Sequence, residues 1–128
     1  CRYVHGYSRS FTFWFTANEF DENGFVVDFS SLRPLEEKLR EHFDHTFLVN
    51  FDDPLLETWE RLHSQEVLDL RVMKNVGMEA TARLVWGWAN DLLFSREQGR
   101  SCCWKAIAHE NDSNSASYTF WPEWFNSV

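Results

Sequence analysis

At 128 residues, 44% hydrophobic and with a formal charge of −8, the chain is long enough for one domain with a real core and too short for two ordinary ones. The acidic balance excludes a nucleic-acid or anionic-membrane surface, because such partners reward clusters of Lys and Arg and none is present. No apolar run reaches the length of a membrane span: the most hydrophobic stretch, residues 80–94, is interrupted by Arg83, Asn90 and Asp91.

The chain opens on Cys1-Arg2-Tyr3-Val4-His5-Gly6-Tyr7, a thiol and an imidazole four residues apart. Phe11, Phe13 and Phe15 then alternate with Thr12, Trp14 and Thr16, the period of a strand with one buried face. Asp21-Glu22-Asn23-Gly24 is a turn ending in an Asn-Gly pair, and Phe25 to Phe29 reads as the returning strand of a hairpin. Ser30 and Ser31 are placed to cap a helix with Pro34, Glu36 and Glu37 near its start and Leu32, Leu35, Leu39 and Phe43 on one stripe, ending near Asp44. Phe47 to Asn50 is extended, and Asp52-Asp53-Pro54 starts a short helix with Leu55, Leu56, Trp59 and Leu62 on one face.

Val67 to Met73 alternates as a strand, and the longest helix runs from about Met78 to Phe94, with Ala82, Val85, Trp86, Ala89 and Leu93 recurring at helical spacing. Trp104, Ala106, Ala108 and Glu110 share a strand face opposite Lys105, Ile107 and His109, and the small residues leave room there for a flat ring. Asn111 to Ser115 is a turn, residues 116–121 return, and Trp-Pro-Glu-Trp-Phe at 121–125 reads as a docking flap or a partly ordered end. This order of elements predicts an α+β domain with an antiparallel sheet.

An aromatic content of 17% exceeds what one small core needs, which predicts rings in a subunit interface or a ligand pocket. Three cysteines, two of them adjacent at Cys102-Cys103, make no disulfide framework; with no signal peptide visible, a reducing cytoplasm is expected. Arg2, Arg9, Lys38, Arg71, Lys74, Arg83 and Lys105 are too scattered in sequence to be grouped into an anion site.

Four features carry possible chemistry. Cys1 is either a reactive nucleophile or base, if a cation or metal lowers its pKa, or an ordinary packing cysteine. Asp44-His45 follows a helix end, where the acid can orient an imidazole as a proton carrier or the imidazole can simply answer the helix carbonyls. Glu110 can hold a guanidine-like edge through two parallel hydrogen bonds, or end its strand in water. Glu79, in the first turn of the long helix, suits the helix dipole and is carried with Glu110 as a substrate-binding candidate.

Cys-x-x-x-His-Gly at Cys1 to Gly6, Val27-Asp28-Phe29 leading through Leu32 into a helix, Phe43-Asp44-His45-x-x-Leu48-x-Asn50, Glu79-Ala80 opening a long helix, and Glu110 with Tyr118 occur in one order. That order resembles the family of 6-pyruvoyltetrahydropterin synthase and 6-carboxytetrahydropterin synthase, the latter supplying the queuosine and deazaguanine pathway. The resemblance covers nearly the whole chain. It implies the tunnelling fold (T-fold), in which an antiparallel sheet carries helices on one face. Subunits of such a homo-oligomer, a trimer or hexamer, join their sheets into a barrel with active sites between them.

The resemblance further implies that Cys1 is the catalytic thiol, that Asp44 with His45 is a proton relay reaching in from a neighbouring subunit, and that Glu110 anchors the amino-pyrimidine edge of a reduced pterin triphosphate. It also implies a zinc ion held by three histidines, a Lewis acid for the substrate's side-chain oxygens. Here the family's His-Gly-His reads His5-Gly6-Tyr7, so His5 and Tyr7 are the metal candidates, Tyr7 with a phenol that must lose its proton to bind. Either a further strand carrying another histidine precedes Cys1, or the metal site is altered. The short Cys-x-x-x-His interval resembles the 6-carboxytetrahydropterin enzymes. The alternatives are the 6-pyruvoyl product and a non-catalytic member that binds a pterin or assembles with a partner.

Overall fold

The core forms where the phenylalanine face of the first strand meets the apolar stripe of the longest helix. The computed structural model describes residues 3, 4, 6 and 8–125, so Cys1, Arg2, His5, Tyr7 and residues 126–128 lie outside the description that follows. Strand β1 (Ser10–Ala17) pairs antiparallel with β4 (Ser101–His109), which pairs antiparallel with β5 (Ser115–Thr119), giving the order β1-β4-β5. Helix α3 (Met78–Glu97) lies along β4 with Ala82, Val85, Ala89 and Leu93 buried, the spacing of a core-facing stripe. Ala106 and Ala108 on β4 are completely buried, so small side chains on both partners let helix and strand approach closely. Helix α1 (Arg33–Phe43) adds Leu35 and Leu39, which pack with Phe13, Phe15, Trp86, Trp88 and Leu92 around Ala89 and Cys103.

Inside this core one side chain answers a backbone problem. The β1–β4 ladder slips between Trp14 and Phe15, and β5 reaches only as far as Lys105 in its pairing with β4. Cys103 sits at that irregularity, where no strand takes both of its backbone groups. The buried Asn90 of α3 does so, its Nδ2 donating to the Cys103 carbonyl at 2.8 Å and its Oδ1 accepting from the Cys103 N–H at 2.9 Å. At the other end of α3, the Arg9 guanidinium donates to Val76 O at 2.8 Å and to Thr81 Oγ1 at 2.9 Å. The start of β1 is thereby tied to the start of the helix.

The second sheet is a two-stranded parallel pair, β2 (Phe47–Asn50) with β3 (Leu70–Met73), joined through α2 (Leu56–Ser64). Parallel neighbours need such a crossover, so this pair departs from the all-antiparallel expectation. Strand β3 also begins later than the alternation from Val67 predicts. Glu66 adopts a left-handed φ of 61°, the Leu70 N–H donates to His63 Nδ1, and the intervening residues turn the chain out of α2.

The turn at residues 21–24 forms as predicted, with Asp21 Oδ1 accepting from the N–H groups of Asn23 and Phe25 and Gly24 at φ 82°. The strand expected at residues 25–29 does not. Arg100 takes the Val26 carbonyl at 2.8 Å, and Asp28 caps a short 3-10 helix, Phe29–Leu32, through Ser30. Asp28 rather than Ser30 or Ser31 therefore starts the helical region, and hydrogen bonds from Ser30 hold its carboxyl below the usual range. The tail is docked rather than loose: Phe125 is buried, and Trp121 stacks between Trp104 and Phe125.

Replacing Asn90 with Ala leaves a buried N–H and a buried carbonyl without partners, a loss of about 2–4 kcal/mol. Urea denaturation is expected to show a lower midpoint at unchanged slope. A loss below about 0.5 kcal/mol would show that the Asn90 bridge is dispensable.

Candidate active site

The antiparallel register sets Ser10 opposite His109 and Phe11 opposite Ala108, so β1 starts where β4 ends. A cavity of about 640 Å³ opens at this corner, lined by Ser8, Ser10, Thr12, His109 and Glu110 among others. Glu110 is the first residue past β4. Its N–H donates to Asn114 O at 2.9 Å, while Asn111 Oδ1 accepts from the N–H groups of Ser113 and Asn114, making a tight turn beneath it. The Glu110 carboxylate is half-buried and makes no hydrogen bond or ion pair with any described residue. His109 Nε2 lies 3.0 Å from Thr12 Oγ1 across the ladder, a polar pair beside the carboxylate.

The predicted surroundings of Glu110 need correcting. Ala106 and Ala108 do not leave a space for a flat ring, because α3 fills that face. Alternation places Glu110 with the alanines only if the strand continues, and β4 ends at His109. The carboxylate therefore faces a cleft shared with residues from the opposite set.

Asp44 and His45 are together but elsewhere. Helix α1 closes when the Asp44 N–H donates to Arg40 O, and His45 follows with a left-handed φ of 56°, a conformation that costs energy for any residue but glycine. The two side chains are 3.6 Å apart, with 93% of the His45 side chain and 63% of the Asp44 side chain exposed. Neither lines the Glu110 cleft. Glu79 stands exposed in the first turn of α3 and does not line that cleft either. Cys1, His5 and Tyr7 lie outside the described residues.

Of the three cysteines, Cys102 and Cys103 are buried and free, with burial pushing both thiols up to about 12. Thiols of that kind are not nucleophiles. Among the described residues no three His, Cys, Asp or Glu side chains converge on a possible metal, so those residues alone do not fit a catalytic zinc.

Sequence reasoning passed over His42. Its ring packs edge-on against Phe43 and Trp88, with centroids 4.6 and 5.3 Å away, and its buried Nε2 has no hydrogen-bond partner among the described residues. Desolvation, then the charge of Arg71, holds this imidazole below its ordinary pKa. The helical stripe that includes Leu39 and Phe43 brings His42 to a boundary between helices, and only the packing shows that the ring turns inward.

The sequence matches the family described as 6-pyruvoyl tetrahydropterin synthase over residues 1–120. The chain belongs to this family. Among solved structures, the crystal structure of the uncharacterized protein WS1659 from Wolinella succinogenes is similar at 22% identity and a TM-score of 0.73, covering 93% of this chain and 80% of that one. At that identity the likeness speaks for the fold. No curated protein matches the sequence. The α+β architecture is thus the tunnelling fold of the 6-pyruvoyl tetrahydropterin synthase family, and membership points to pterin-related lyase chemistry. Among the described residues no helix is long and apolar enough to cross a membrane.

An imidazole whose pKa is depressed by folding binds fewer protons in the folded state than in the unfolded one. The stability it contributes is fully present above the ordinary imidazole value of about 6.5 and is lost as pH falls through the folded value. Melting temperature is therefore expected to drop between about pH 7.5 and 5.5, and His42→Phe should flatten that slope. Equal slopes in the two proteins would remove His42 from the pH response.

Proposed function

We propose that the chain is a lyase acting on 7,8-dihydroneopterin triphosphate, consuming water and releasing 6-carboxytetrahydropterin, acetaldehyde and triphosphate. The observation that supports it best is the Glu110 carboxylate, half-buried in its cleft and without a partner among the described residues. A carboxylate in that state accepts two parallel N–H bonds from an amino-pyrimidine edge and fixes the ring's orientation. Cys1 then serves as the thiolate that removes a proton from the pterin side chain. Asp44 orients His45, which returns protons to the reacting carbons.

The Asp44–His45 pair lies outside the Glu110 cleft and is exposed, with a strained backbone. In this reading it serves the cleft of another copy, and the working unit is a homo-oligomer, a trimer or hexamer. Zinc belongs to the same reading. His5 and Tyr7 would hold it together with ligands beyond the described residues, and it would polarise the side-chain oxygens of the substrate. The Cys-x-x-x-His spacing at Cys1 and His5 favours the carboxy product over 6-pyruvoyltetrahydropterin. Tyr7, standing where the family has a histidine, favours the rival reading of a pterin-binding member without turnover.

Mass spectrometry of products from 7,8-dihydroneopterin triphosphate, run with metal analysis of the same protein, separates these readings. 6-Carboxytetrahydropterin and acetaldehyde are expected; a pyruvoyl product or an unconsumed substrate after zinc loading would overturn the assignment. Cys1→Ala should cut turnover by about 100- to 10,000-fold with pterin binding retained. Glu110→Ala should weaken pterin binding by about 10- to 100-fold. Unchanged turnover in Cys1→Ala would remove the thiol from the mechanism.

A further inference from the structure

A helix that covers a core with one face is normally polar on the other. The outward face of α3 is not. Leu84 is exposed there, and beside it runs a groove of about 990 Å³, walled by the end of β3 and the last turn of α1. The exposed Phe51 and Val72 line the same groove. Three exposed apolar side chains around one concave surface mark a place where something docks.

The charges on this face say what fits it. Arg83, Gly87 and Asp91 are each four residues apart and form one row along α3. Rows of that spacing are the ridges through which the commonest class of helix pair packs, at a crossing of about 50°. Within this row a cation stands four residues before the glycine and an acid four residues after it, so the row is complementary to itself read backwards. When a second α3 crosses at Gly87 under a two-fold axis, Arg83 of each copy meets Asp91 of the other, about 6 Å along the helix on either side of the crossing. Neither side chain makes an ion pair with any described residue. Arg83 lies over the Tyr118 ring, 5.6 Å from its centroid, which positions the guanidinium and leaves its charge unanswered.

The same symmetry accounts for the glycine. Glycine inside a helix destabilises it relative to alanine, and a Cβ at Gly87 would meet nothing within 4 Å, so no described residue of its own chain requires the small side chain. At a two-fold crossing, position 87 faces its own copy, where a longer side chain would hold the two axes apart. Leu84 lies on the flank of the row, one turn from the crossing, and there the 50° angle brings it to Leu84 of the other copy. Net charge bears on the same point. A chain of formal charge −8 repels its copies over most of its surface, but this groove has Asp91 as the one acid among its described lining residues, against Lys74 and Arg83.

We propose that this face is an interface between two copies of the chain, an antiparallel pair of α3 helices crossing at Gly87 with an Arg83–Asp91 pair on each side. The contact uses a helix face and leaves the outer edges of β1 and β5 untouched, so it is separate from any joining of sheets between copies. It does not depend on the lyase reading.

Charge reversal tests it, because the two-fold symmetry fixes what each change does. Arg83→Asp sets acid against acid and Asp91→Arg sets cation against cation. Each variant alone should self-associate at least about tenfold more weakly than the parent and sediment as a smaller species. Mixing the two variants rebuilds both pairs in a mixed contact, so the parent's mass should return, and Arg83→Asp/Asp91→Arg in one chain should keep it. Gly87→Cys in a Cys1→Ser background should form a two-chain disulfide under mild oxidation, since Cys102 and Cys103 are buried. The proposal is overturned if either single variant keeps the parent's mass through a dilution series, if mixing does not restore that mass, or if Gly87→Cys does not cross-link. Should Arg83→Asp fail to fold once its place over Tyr118 is lost, Asp91→Arg and Gly87→Cys decide.

Discussion

The amide of Asn90 is the interaction on which the arrangement of this molecule turns. A β-strand that slips its register beside one neighbour and outlasts the other exposes backbone groups that cannot be left unpaired in a core. Here those groups belong to Cys103, and a helix residue takes both of them. The bridge sets the position of α3 along β4, so the alanines of the two elements meet and the core closes without a bulky layer between them. Arg9 sets the opposite end by holding Val76 and Thr81. With both ends fixed, the corner where β1 begins and β4 stops is a rigid place for a carboxylate.

That corner explains why Glu110 is available for binding. The turn below it uses the backbone and the Asn111 side chain for its own hydrogen bonds, which leaves the Glu110 carboxylate uncommitted among the described residues. Asp44 and His45 present a different situation. They stand at a helix end with the imidazole thrust outward by a left-handed residue, close enough to interact and, among the described residues, without further side-chain hydrogen bonds or ion pairs to restrain them. A domain that keeps an anchoring acid in one corner and a proton-carrying pair at another has the parts of a shared site distributed over its surface. In the proposed reaction these parts meet between copies.

Local signals were legible where physics is local. The phenylalanine alternation of β1, the apolar stripe of α3, the turn at Asp21 to Gly24 and the acid at the end of β4 could all be read from neighbouring residues. The strand expected at Phe25 to Phe29 failed because Arg100, distant in sequence, takes the carbonyl a ladder would need. The parallel pairing of β2 with β3 was hidden because a short apolar run does not reveal the direction of its partner. His42, Lys74 and Arg83 gave no sequence signal as a group, since they come from three elements and converge only after α1, β3 and α3 have packed.

The sequence by itself determined the fold class, the family and the residue types able to do proton chemistry, because periodicity and ordered motifs survive without coordinates. Only the tertiary structure decided which face Glu110 occupies and that Asp44 and His45 stand apart from it. The physical reason is that a side chain's chemistry depends on its neighbours. Those neighbours are set by where strands end and which backbone groups they leave for a residue such as Asn90 to satisfy.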